Sequence, residues 1–266
     1  MYFFNIPIMC IFDTMEHGNE KIQKQIEKIK KVTSGKDIIS GIHNYCDRWC
    51  ERCTHTKHCS VYQMDSRNED EISDMDNQEF WDTLSLNMAA SFMMLHQMME
   101  EQGIDPNDIP NYEEPEHIET EAEKTTKEYS NKIVKWLNSN TETFKDVMLR
   151  EGMENEAMVL AIDDAVEVLH WYSFFIHVKC HRAMHTNDDF WDEDDDFEFR
   201  YHDNLGSAKI TTISINRSME SLTFLLKYIP KQESEIIDLL VLLEKSKKLI
   251  SKRWPTAMEF RRPGFD

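Results

Sequence analysis

Apolar residues in this chain recur three and four positions apart in one stretch after another, and runs that alternate as a half-buried strand does are hard to find. That period gathers side chains on one face of a helix. With only 7 Gly and 7 Pro among 266 residues to interrupt helices, the expected class is all-α. The architecture is a multi-helix bundle with one substantial core, or a main domain with an appended segment.

The pattern also divides the chain. Residues 1–19 read as a peripheral arm: the apolar start has no basic residue ahead of it, no small-residue cleavage site follows, and the run is too short to span a bilayer. Residues 20–64 hold a short helix from Glu20 to Val32, with Ile22, Ile26 and Ile29 at i, i+4 and i+7. A second helix from Asp37 carries Ile38, Ile39, Ile42 and Tyr45 into a cysteine-rich run. Residues 65–76 are an acidic linker without period, and residues 77–266 form the bundle.

Within the bundle the strongest helix runs from Asn77 to Gln102, with an expected core face of Phe80, Leu84, Met88, Phe92, Leu95 and Met99. Gly103 closes it, and a proline-containing loop follows. Further helices are expected at Glu119–Trp136, Thr141–Arg150, Glu154–His185, Leu205–Tyr228 and Glu233–Trp254. The last is apolar over more than one core-facing stripe, which predicts a subunit interface. Residues 186–204 read as an acidic loop with aromatic anchors, solvated or docking a basic partner, with Lys209 and Arg217 placed to reach its carboxylates. The loop has no EF-hand register.

Four cysteines, Cys46, Cys50, Cys53 and Cys59, fall within fourteen residues with the spacing C-x3-C-x2-C-x5-C. Four soft thiolates brought together satisfy one tetrahedral zinc or the four irons of a cubane cluster. If Ile42 to Arg52 is helical, the first three lie on one face, and Cys59 returns on a loop from Thr54 to His58. Arg48, Arg52 and Lys57 supply positive charge that favours thiolate, and His55 and His58 are placed to donate N–H to sulfur. Paired disulfides would need an oxidising compartment, and the chain otherwise reads as cytoplasmic. The compact single run favours a [4Fe-4S] cluster, with zinc as the alternative.

Cys50, Cys53 and Cys59, as C-x2-C-x5-C, resemble the end of the cluster loop in the endonuclease III family of DNA glycosylases. That resemblance covers these residues alone and implies a cluster type. The chain lacks that family's Gly-Pro-Gly-type hairpin, so no DNA activity is carried over. Cys46, Cys50 and Cys53 also look like the C-x3-C-x2-C signature of radical S-adenosylmethionine enzymes. A fourth cysteine would fill the iron those enzymes leave open, and nothing around the motif reads as a βα barrel.

A second candidate site lies on the long central helix. Glu167 and His170 form an E-x-x-H pair, with Asp163 and Asp164 as neighbouring carboxylates, and His170, His177, His181 and His185 fall near one stripe. Ferritin-like di-iron sites use two such pairs. The other pair here, Glu114 with His117, sits among prolines, so the competing expectation is that these histidines face a polar seam.

Composition bounds the partners. A formal net charge of -20 repels a phosphate backbone, which argues against nucleic acid, and no membrane segment is expected. The expected function is a cytoplasmic metal-binding scaffold for a protein partner or a second copy, its four-cysteine centre serving structure, electron transfer or sensing. The alternative is a metal-dependent redox enzyme using Glu167 and His170. No nucleophile–base pair, glycine-rich phosphate loop or dinucleotide fingerprint supports it.

Overall fold

The structure, a computed structural model, describes residues 8–64, 78–105, 117–152, 155–185 and 196–266. Among these there are eight α-helices and no strand, as the period predicts. They are α1 (Ile8–Thr33), α2 (Ser60–Met64), α3 (Gln78–Gln102), α4 (Glu121–Ser139), α5 (Thr141–Gly152), α6 (Glu156–Met184), α7 (Asp196–Leu226) and α8 (Glu233–Arg253). No helix among the described residues is long and apolar enough to cross a membrane. The chain divides into two compact units, Met1–Ser40 with Cys53–Glu114, and Gly41–Arg52 with Pro115–Asp266.

The larger unit is organised around α6. Ile162, Ala165, Leu169, Tyr172, Ile176, Cys180 and Ala183 recur at three and four and are all buried, forming one stripe that packs on α4, α5 and α7. Facing them, α4 contributes Tyr129, Ile133 and Leu137, and α8 contributes Ile236, Leu239, Leu243 and Ile250. Helix α7 is different, because every residue from Asn204 to Thr212 is buried. Small side chains at Ser207, Ala208, Thr211 and Ser214 let neighbours approach from several sides. The Thr211, Thr212 and Ser214 hydroxyls donate to carbonyls four residues back, which satisfies them without a partner helix.

Gly206 marks the closest approach on α7. A Cβ there would lie 2.3 Å from Cδ1 of Tyr45 and 2.9 Å from Cε1 of Phe260. Alanine would gain about 1 kcal/mol of helix propensity, but overpacking a filled site costs typically about 1–3 kcal/mol. The Tyr45 ring is itself held edge-on by Phe260 at 4.9 Å and has little room to withdraw, so the clash wins. Gly206→Ala is expected to lower the thermal midpoint; a variant as stable as the parent would contradict this packing.

The last residues fold back onto α7. Asp266 accepts from Arg262 N and Nε and from Lys209 Nζ, the last at 2.8 Å. The Arg262 bonds, opposed by partial burial and reinforced by Lys209, hold the carboxyl well below the usual carboxylate range. A depressed acid adds stability above its unfolded value, near pH ~4, and loses it as pH falls through the folded value. The stability gap between the parent and Asp266→Asn should therefore narrow on acidification from about pH 6 to about pH 2. A gap independent of pH would refute this.

In the smaller unit α1 packs on α3, with Ile22 and Ile26 buried against Ala90, Leu86, Ala89, Met93 and Met94. This corrects the face expected for α3. Leu84, Met88, Phe92 and Leu95 are exposed, at 39–59%, because small Ala89 and Ala90 admit α1 more closely than the bulky stripe would. Helix α1 also begins at Ile8, so the expected arm of residues 1–19 is in part helix, and residues 1–7 lie outside those described.

The acidic linker at 65–76 and the pair residue Glu114 fall outside the described residues, as do residues 186–195 of the acidic loop. From Asp196 the chain is already α7 rather than loop. Acidic residues are in general favoured beside the positive end of a helix dipole, so acidic composition alone does not separate a loop from a helix start.

Candidate functional site

The cysteine run is not the helix its spacing suggested. Residues 42–52 form two single 3-10 turns, Ile42–Asn44 and Cys50–Arg52, with Gly41 at φ 71° and Arg48 at φ 60°. Tertiary bonds explain the change, because carbonyls that a helix would use are taken by side chains. Lys179 Nζ donates to Asn44 O at 3.0 Å and Trp171 Nε1 donates to Asp47 O at 2.9 Å. Cys46, Cys50 and Cys53 therefore do not share a helical face.

Asp47 is the hub of this docking. Its Oδ2 accepts from Tyr172 Oη at 2.8 Å and from Arg217 at 2.9 Å, and Arg217 also donates to Tyr172 Oη. Trp49 stacks on Trp171 with centroids 5.0 Å apart and 13° between planes. Arg52 lies 3.8 Å over the Trp49 ring and pairs with Asp164 and Glu167. Residues 41–52 are thus fixed on α6 and α7 by one buried-edge carboxylate, one aromatic stack and one guanidinium. Burial pulls the Lys179 ammonium down to about 8.

Sulfur chemistry in this segment is local. At Cys46 burial raises the thiol pKa, and this outweighs the Arg48 backbone N–H and guanidinium, both of which favour thiolate. The charge of Arg52, expected beside sulfur, goes instead to Asp164 and Glu167. In the smaller unit Cys53 Sγ accepts the His55 backbone N–H at 3.4 Å. His55 thus reaches sulfur through its amide, whereas the His58 ring donates to Asp37 O at 2.8 Å. Ile39 N donates to His58 O, and Gln63 binds the Lys57 carbonyl, closing the loop ahead of α2. Cys46, Cys50, Cys53, Cys59 and Cys180 are thiols rather than disulfides. The division between the two units falls between Arg52 and Cys53.

Glu167 and His170 lie on the exposed side of α6, with Glu167 engaged by Arg52. They do not face the bundle interior expected of a ferritin-like pair. Lys209 pairs with Asp266 and Arg217 with Asp47, and residues 186–195 of the acidic loop they were expected to reach lie outside the described residues.

Among the described residues one group of three His, Cys, Asp or Glu ligand atoms lies mutually within 4.8 Å: His117, Glu123 and His181. Glu123 is fully buried at the third position of α4. Its Oε2 accepts the Thr120 backbone N–H at 2.7 Å while Thr120 Oγ1 accepts the Glu123 N–H, a capping box. Its Oε1 lies 2.7 Å from His117 Nε2 and 2.6 Å from His181 Nδ1. His185 Nδ1 stands 3.3 Å from His117 Nδ1. One turn back, His177 contacts Thr126 Oγ1 at 3.1 Å instead.

Burial alone would raise the Glu123 pKa. The Thr120 bonds and then the two histidines outweigh it and bring it to about 2, so the carboxyl is ionised at neutral pH. Sequence reasoning had the histidine stripe but missed its partner. The T-x-x-E of Thr120 and Glu123 was legible as a capping box, and nothing in it announced that the carboxylate's second oxygen would meet α6.

No protein-family model matches the chain, and neither does any curated protein or solved structure.

Proposed function

We propose that this chain is a metal-binding helical protein in which Cys46, Cys50, Cys53 and Cys59 hold one inorganic centre, a [4Fe-4S] cluster, inside a scaffold that binds a protein partner. One local observation carries the reading. Cys53 Sγ receives the backbone N–H of His55, two positions on, at 3.4 Å, while the Cys46 thiol donates to the His43 carbonyl at 3.5 Å. An amide aimed at sulfur stabilises the thiolate that a metal requires, and Cys53 is the cysteine shared by the C-x2-C and C-x5-C spacings.

Rigid support strengthens it. Asp47, Trp49 and Arg52 lie between Cys46 and Cys53, and all three are committed to α6 or α7, so the first half of the run is held on regular structure as a ligand set should be. Four cysteine ligands leave no open iron, which points to electron transfer, sensing or structure rather than substrate binding. Zinc is the second reading, favoured by the Cys50-x2-Cys53 pair. Redox catalysis at Glu167 and His170 is disfavoured, because Glu167 already serves Arg52. For a partner, exposed Phe174 and Val178 on α6 and Ile237 and Val241 on α8 supply apolar surface one turn apart.

The test is anaerobic purification with a visible spectrum and assays of iron, acid-labile sulfide and zinc. Brown protein with iron and sulfide in equal amounts supports the cluster. Colourless protein with one tightly held zinc supports the second reading, and protein holding neither overturns both.

A further inference from the structure

We propose that His117, Glu123 and His181 form a second metal site, independent of the cysteines, that binds one divalent transition-metal ion through two imidazoles and a carboxylate and leaves a coordination position open to solvent. The three ligands come from the strand of chain before α4, the first turn of α4 and the last turn of α6. Their convergence therefore requires the fold and is not a local accident of sequence.

Charge gives the first argument. Glu123 is fully buried, and among the described residues its ion-pair partners are His117 and His181, with no lysine or arginine. A buried carboxylate needs a cation beside it. Nearby Lys127 is turned to Glu119, leaving the two imidazoles as the side chains that meet this anion, both at Oε1. The site also sits at the C-terminal end of a 29-residue helix, where the macrodipole favours positive charge.

Ligand geometry gives the second. His117 Nε2 and His181 Nδ1 converge on the same oxygen, Oε1. Around an ion at bond lengths of about 2.0–2.1 Å, tetrahedral neighbours stand roughly 3.3 Å apart, so the observed 2.6 and 2.7 Å need to open by less than an ångström. The His181 side chain is 50% exposed and free to make that adjustment.

The supporting shell gives the third. The Thr120 N–H fixes the other oxygen of Glu123, and His185 Nδ1 is placed to accept the Nδ1–H of His117, which sets the tautomer that leaves Nε2 for a metal. The His117, His181 and His185 rings lie within 4.9–5.5 Å of one another. Two histidines and one carboxylate, with a fourth side facing water, are the donor set of open zinc sites and of facial iron(II) sites. Soft thiolate chemistry has no part in it.

Cobalt(II) is the probe, because sulfur ligation gives intense near-ultraviolet charge transfer and nitrogen–oxygen ligation gives only weak visible bands. Titrated into full-length Cys50→Ser/Cys53→Ser protein, cobalt should fill one site with weak visible bands and no thiolate charge transfer. His181→Ala and His117→Ala, both at partly exposed positions, should each weaken that binding by about 100-fold or more, and His185→Ala by about 10-fold. Zinc should displace the cobalt. Each variant is checked for parental helical content, and Glu123→Gln serves as a further test where it folds. Absence of the weak-band site in the cysteine variant, or unchanged affinity in folded His181→Ala, overturns the proposal. Neither result bears on the cysteine centre, whose failure would show instead in the iron, sulfide and zinc assays.

Discussion

Protein carrying Cys50→Ser together with Cys53→Ser is expected to lose all iron, sulfide or zinc held by residues 46–59 while keeping the helical content of the bundle. Serine preserves size and removes the soft ligand, so two of four bonds vanish with minimal change in packing. Metal binding in such segments is coupled to folding and is worth on the order of 10 kcal/mol for structural zinc, more than the docking contacts of Asp47, Trp49 and Arg52 can replace. Those contacts hold residues 41–52 on α6 and α7 without help from sulfur. The expected loss is therefore local, with faster proteolysis around residues 53–59 and an unchanged far-ultraviolet spectrum. A double variant that retains the metal at parental stoichiometry would remove the cysteine centre from consideration.

Leu169→Ala should be among the most damaging aliphatic truncations in the bundle. Leu169 is fully buried in the middle of the α6 stripe, in the core shared with α4, α7 and α8. Removing it forfeits transfer free energy and leaves a cavity that a close-packed interior relaxes only in part, a cost of about 2–5 kcal/mol. Val241→Ala on α8, 60% exposed in the parent, is the matched control and should change stability by about 0.5 kcal/mol or less. Chemical denaturation of both reads the difference; comparable losses at the two positions would contradict the placement of the core.

Periodicity read the bundle well because helix faces are written at three and four. Ile22 and Ile26 on α1, Ile133 on α4, and Leu222 and Leu225 on α7 are buried as their spacing predicts. It failed on α3, where two apolar stripes compete and period alone cannot tell that Ala89 and Ala90, rather than Phe92 and Leu95, meet α1. It failed again at residues 42–52, where helical spacing is real but Trp171, Tyr172, Lys179 and Arg217 capture the carbonyls and carboxylate of Asn44 and Asp47. Partners more than a hundred positions away leave no local signature. The same limit hid the His117, Glu123 and His181 group, whose members are separated by 6 and 58 positions.

X-ray absorption at the edge of the bound metal, recorded on anaerobically purified His117→Ala/His181→Ala protein, tests the cysteine centre most directly. Of the two centres proposed among the described residues, silencing the histidine site leaves residues 46–59 to contribute. Four sulfur scatterers per metal at about 2.3 Å are expected, with an added iron–iron shell if the centre is a cluster. A first shell of nitrogen and oxygen alone, or no metal to measure, would contradict the proposed ligation by Cys46, Cys50, Cys53 and Cys59.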